Sequence, residues 1–148
     1  MKISSKGRYA LASMILLAHN QGQDSPMTVI GISGQLDISK IYLEQVFSLL
    51  RKGGLVTSIK GSQGGYQLSR PADEISTAEI LSVTETSIFE PTESTVAQSQ
   101  PGIERALQDV LFIPANDAFQ KFFDKTPLSV LAEEALRNTT EGGDMYCI

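Results

Sequence analysis

At 148 residues the chain is long enough for one domain with its own core, or for a small domain with an accessory helical segment. One cysteine and one histidine exclude an internal disulfide and leave too few ligands for a transition-metal or iron–sulfur site. The net charge of −5 hides an asymmetry: residues 1–70 carry eight basic and three acidic side chains, residues 71–148 four basic and fourteen acidic, which points to a polyanion-binding surface in the first half.

The opening stretch MKISSKGRYALASMILLAHN sets basic residues before apolar ones, as a signal peptide does. Its apolar positions Leu11, Met14, Ile15, Leu16 and Leu17 are broken by Ala and Ser, and no small-residue cleavage site follows. An amphipathic helix is therefore predicted from Ser4 or Ser5 to Asn20. No run approaches the roughly 18 apolar residues of a membrane span, so the expected location is cytoplasmic. QGQDSP is a loop by composition. Thr28 caps a short helix with Val29, Ile32 and Leu36 on one face, weakened by Gly31 and Gly34. LDIS makes a tight turn. Ser39 opens the strongest helix, SKIYLEQVFSLLRKGG, with Ile41, Leu43, Val46, Phe47, Leu49 and Leu50 as its buried stripe and Gly53 and Gly54 as its stop.

LVTSI and YQLS flank a glycine loop and read as a β-hairpin. Ser76 and Glu79 form a capping box at STAEILSVTE. Residues 85–100 read as a polar loop. GIERALQDVLFI is helical, with a kink or break expected at Pro114 before NDAFQKFFDK resumes the spacing. Thr126 as cap and Pro127 at the first helical position open the last helix. The tail from Asn138 is expected to fray.

Helix, short helix, tight turn, helix and hairpin, in that order, make a winged helix-turn-helix. The fold class is mostly α with a small β-hairpin. The expected divisions are a winged helix-turn-helix at 1–84, the polar loop at 85–100, C-terminal dimerisation helices at 101–137 and a tail at 138–148. A helix-turn-helix lays its second helix in the major groove with the N-terminal residues at the base edges. Ser39, Lys40 and Tyr42 suit phosphates, Gln45 suits adenine and Glu44 suits cytosine N4. Ser48 and Arg51 follow on the same helix. A nucleotide-binding glycine loop runs from strand into helix. KGSQGGY runs from strand to strand, so Lys60, Gly61 and Gln63 are read as the tip of a wing, with Lys60 on a DNA phosphate. Tyr66 is expected to pack the wing onto the body.

MKISSKGRYAL, YLEQVFSLLRKGGLV, SIKGSQGGYQL and STAEIL, in this order, resemble the Rrf-two family of bacterial winged-helix repressors that includes IscR, NsrR and CymR. The likeness is dense over residues 1–85 and weaker beyond. It implies that Ser4, Ser5, Lys6 and Arg8 meet the DNA backbone. It also implies a homodimer in which the long helix after the loop crosses its partner, with Leu107, Leu111, Phe112, Phe119, Phe122 and Phe123 at the interface. The phenylalanines agree, since they offer more apolar surface than one small domain buries. A two-fold dimer reads a near-palindromic operator in double-stranded DNA.

The departures matter as well. Cluster-binding members carry closely spaced cysteines in the loop, whereas FEPTESTVAQSQ has none, so no metal or cofactor is expected. FIPAN also departs from the family's uninterrupted helix. His19 reads as a helix-end residue. Cys147 lies in EGGDMYCI, which has two acids and no base and is a poor setting for a reactive thiolate. No catalytic constellation stands out. The expected function is a DNA-binding transcription regulator, a repressor, acting as a homodimer on an open choice of effector. The rival is a protein-interaction module on the same scaffold, docking through the acidic half.

Overall fold

The computed structural model describes residues 1–62 and 64–146. Gln63 and Cys147 lie outside the described residues. Helix α1 (Ser5–Asn20) is capped by Ser4, whose Oγ accepts from the Gly7 N–H, and it turns Ala10, Met14 and Leu17 into the core. Helix α2 (Val29–Leu36) starts at Thr28, which accepts from the Gly31 N–H. That cap offsets part of what the two glycines cost. Asp37 then takes left-handed backbone, φ 53° and ψ 49°, and ends α2 within one residue. Asp tolerates this region because its short polar side chain bonds locally.

Helix α3 (Lys40–Lys52) is capped by Ser39, whose Oγ accepts from the Tyr42 N–H. Leu43, Val46, Phe47 and Leu50 are fully buried, the spacing of one helical face. Ile41 was expected in this stripe and is instead 72% exposed. Two positions before Leu43, it points about 200° around the helix, away from the core.

Strands β1 (Val56–Ile59) and β2 (Gly65–Leu68) pair antiparallel, with Val56 opposite Leu68 and Ile59 opposite Gly65. The segment before α2 adds to this hairpin: Met27 N–H donates to Tyr66 O at 3.0 Å and Tyr66 N–H to Met27 O at 2.7 Å. A Cβ on Gly65 would stand 2.3 Å from Met27 O, so this close approach requires glycine. The Tyr66 ring lies on Phe47 with centroids 4.6 Å apart, which fastens the wing to α3 as expected.

After a 3₁₀ turn at Ala72–Glu74, α4 (Thr77–Thr84) opens with the expected capping box of Ser76 and Glu79. Arg70 pairs with the same Glu79 carboxylate. From Pro101 to Asp124 the helix is unbroken, as α5 (Pro101–Ala106), a π-helical stretch Leu107–Phe112 and α6 (Ile113–Asp124). Pro114 therefore does not break the chain. In α register its ring would press on the carbonyl four residues back. A wider turn just before it, in which Ile113 N–H donates to Gln108 O, absorbs the conflict.

Helix α7 (Leu128–Tyr146) folds back along α1. Leu128 is fully buried in the core of the winged helix, and His19 Nε2 lies 2.8 Å from Ala132 O. The Thr126 hydroxyl turns backwards to donate to Phe122 O at 2.7 Å, and Pro127 bridges Ser76 just ahead of the helix instead of occupying its first position. The helix continues to Tyr146 through the tail that was expected to fray. Thr139 and Thr140 hydroxyls donate to the carbonyls of Ala135 and Leu136, one turn back, so neither side chain competes for the helix N–H groups. Among the described residues no helix is long and apolar enough to cross a membrane.

Candidate nucleic-acid interface

The outer face of α3 lies between the start of α1 and the hairpin. Ile41, Glu44, Gln45, Ser48 and Leu49 line one shallow concavity together with Lys6 of α1. Ser48 continues into a second, shared with Arg51, Lys52 and Tyr66 of β2. The predicted residues Lys6, Glu44, Gln45, Ser48 and Arg51 are thus brought onto one continuous strip. Ile41 and Gln45 stand one turn apart on it. Glu44 is drawn to Lys40, Nζ to Oε1 3.6 Å, in an exposed pair one turn long. Tyr42 is half-buried, and its ring meets Tyr9 edge-on at 5.4 Å, bracing α3 against α1. Ser39 Oγ accepts from the Tyr42 N–H in capping α3, a bond that does not use its O–H donor. Lys60 and Gly61 are exposed at the hairpin tip, where Gly61 turns at φ 119°. Gln63 lies outside the described residues.

At the start of α1 the sequence reading missed a partner. Ser4 N–H and O–H both donate to Glu85 Oε1, at 2.9 and 2.6 Å. Ser4 has no donor left for a phosphate in this arrangement. Ser5 and Arg8 are exposed and Lys6 is half-buried beside α3. Local pattern carries no signal for a contact across 81 residues.

Among the described residues the ion pairs are Lys40–Glu44, Arg70–Glu79, Arg105–Asp109 and Arg137–Glu134. Lys6, Arg8, Arg51, Lys52 and Lys60 belong to none of them. Lys6 borders the exposed face of α3 on the side of α1, Arg51 and Lys52 lie beside Tyr66 of the hairpin, and Arg8 and Lys60 are exposed. Unneutralised cations grouped on one side form the electrostatic footprint of a polyanion partner.

The model of the Rrf2 family, described as an iron-dependent transcriptional regulator, matches residues 3–134. The chain belongs to the Rrf2 family. The HTH-type transcriptional regulator IscR of Pectobacterium atrosepticum is 37% identical over 131 residues, which span 88% of this chain and 79% of that protein. CymR, the global cysteine regulator of B. subtilis, superposes with a TM-score of 0.76 at 37% identity, over 90% of this chain and 98% of its own. IscR of T. potens gives a TM-score of 0.68 at 30% identity, over 91% and 88%. This Rrf2 protein is accordingly a DNA-binding transcriptional regulator with a winged-helix fold, and not an enzyme.

The family's iron does not fit the donors present. The loop at 85–100 contains no cysteine. The Glu85 carboxylate accepts from Ser4, and His19 is engaged with Ala132 O. Among the described residues no three His, Cys, Asp or Glu side chains are grouped to hold a metal ion. The loop has a different anchor. Glu104 on α5 is buried and accepts from Gln108 Nε2 at 2.9 Å, from Val96 N–H at 3.1 Å and from Thr95 N–H at 3.3 Å. The Gln108 amide first, then the Val96 N–H, hold its carboxyl below the ordinary value of 4.5, against the opposing effect of burial. A lowered folded pKa means that Glu104 stabilises fully above that ordinary value and stops doing so as pH falls through the folded one. The protection factor of the Val96 N–H, the exchange rate of the free peptide divided by its own at the same pH, is expected to fall on acidification before that of the α3 core does. Glu104→Gln should flatten that pH dependence. Simultaneous loss of both protections in wild type would refute a separate loop anchor.

The apolar residues expected at a partner surface divide. Leu111 and Phe122 are more than half exposed. Phe119 and Phe123 pack with Phe89 in an aromatic cluster within the chain, centroids 5.0–5.8 Å apart. Leu107 and Phe112 are half-buried. Ile103, Val110 and Ile113, which the sequence reading did not select, are more than half exposed on the same long helix.

Proposed function

We propose that this Rrf2 regulator is a cytoplasmic repressor that binds a near-palindromic operator as a homodimer, without a cysteine-ligated cluster. Residues 1–84 form the DNA-binding unit. α3 enters the major groove, with Ile41, Gln45 and Ser48 toward base edges. Ser5, Lys6 and Arg8 of α1, Arg51 and Lys52 at the end of α3, and Lys60 of the wing lie on phosphates. Two copies associate through the exposed side of the α5–α6 helix, around Ile103, Val110, Leu111, Ile113 and Phe122.

The observation that carries this reading is the cations that border α3 and join no ion pair among the described residues, Lys6 on the side of α1 and Arg51 and Lys52 on the side of the hairpin. Phosphate contacts of this kind release counterions, so binding weakens steeply with salt. The experiment is a titration, across salt concentrations, of a duplex selected by the protein from random DNA. Two chains per duplex are expected. Lys60→Ala should weaken binding to all sequences alike and reduce the salt slope by about one unit. Equal binding of wild type and Lys60→Ala at every salt concentration would remove the wing from the interface. One chain per duplex would remove the dimer.

A further inference from the structure

Glu85 is the residue at which α4 ends and the 85–100 loop begins. Its carboxylate closes on the start of α1. Ser4 N–H and O–H donate to Oε1 at 2.9 and 2.6 Å, while Ser4 Oγ accepts from Gly7 N–H at 3.1 Å. One carboxylate oxygen, one hydroxyl and one helix amide are thus linked in series. The fit is tight, since a Cβ on Gly7 would stand 2.2 Å from Oε1 and 2.8 Å from Ile3 Cγ2. An acid at this end also complements the helix dipole, which by itself disfavours the cations Lys6 and Arg8. The contact does two things together. It consumes the donors of Ser4, and it fixes the direction of the turn that carries Ser5, Lys6 and Arg8.

We propose that Glu85 is a positioning residue for DNA binding. By holding Ser4, and through it Gly7, it sets the first turn of α1 so that Ser5, Lys6 and Arg8 meet the phosphate backbone. This rests on the placement of α1 against DNA given above.

The test uses the full chain and a duplex selected by wild type, with affinity measured across salt concentrations and thermal melting as the check of folding. Glu85→Ala is expected to bind on the order of tenfold more weakly. Its salt slope should fall by about one to two units as Lys6 and Arg8 lose their phosphates. Glu85→Gln keeps an oxygen that accepts both Ser4 donors and should restore affinity and slope to near wild type. Ser4→Ala combined with Glu85→Ala should cost less than the two effects summed, because the residues act through one contact. Should Glu85→Ala not fold, Ser4→Ala carries the same comparison of affinity and slope. Wild-type affinity and slope in Glu85→Ala would overturn the proposal. So would tighter binding by both Glu85→Ala and Glu85→Gln, which would make the carboxylate a repulsive group. A wild type showing no salt-dependent binding to any duplex would instead fail the DNA-facing placement itself.

Discussion

Gln45→Ala is expected to erase preference at one base pair of each half-site, weakening cognate binding by about 1–3 kcal/mol while leaving non-specific DNA unaffected. Gln45 is exposed on the strip between Lys6 and the wing, and its amide matches the N6 and N7 edge of adenine. Its neighbour one turn earlier sharpens the expectation. Ile41 has no core to enter and stands exposed among polar groups. In a major groove an aliphatic side chain finds one apolar partner, the thymine methyl. Glu44 shares Oε1 with Lys40 in an exposed pair, which competes weakly with acceptance from cytosine. The strip is therefore expected to favour A·T pairs at its N-terminal end. Replacing the contacted thymine by deoxyuridine should weaken wild type, and Ile41→Ala should show no further loss on the substituted duplex. Additive losses would mean that Ile41 and the methyl do not touch. Unchanged base preference in Gln45→Ala would remove this face of α3 from the bases.

The parts of this site that were legible in the sequence are those written in short-range code. Ser39, Thr28 and the Ser76–Glu79 box announce helix starts through side chains that bond three residues ahead. The hairpin announces itself by β-branched runs around glycines. Ile41 was misplaced because an apolar residue near a helix start satisfies a loose periodic pattern even when it falls off the buried face. Pro114 was read as a kink or a break because proline chemistry is local, whereas its cure, the widened turn from Leu107 to Phe112, involves residues with no special signature. Phe119 and Phe123 were expected at a partner surface, and sequence cannot show that both also pack on Phe89 of the loop. The same reason hid Glu85: a carboxylate beside a loop looks solvated until the fold brings Ser4 to it.

Phe47→Ala is expected to lower stability by about 3–5 kcal/mol, the range for a fully buried phenylalanine. That is a large share of the roughly 5–15 kcal/mol available to a natural domain. In a chain of this size the thermal midpoint should fall by on the order of 10 °C. The position matters beyond its volume. The Phe47 ring is the surface on which Tyr66 lies, at 4.6 Å, and Tyr66 is the residue that also ties β2 to Met27. Removing the ring empties the space between α3 and the wing. Phe47→Leu refills most of that volume and should recover much of the stability, but it has no face for Tyr66. Its DNA affinity should then fall in the manner of a wing defect, with a reduced salt slope, although the protein is folded. If Phe47→Leu binds with the wild-type slope, the aromatic contact serves the core alone and the wing is held by the Met27–Tyr66 hydrogen bonds.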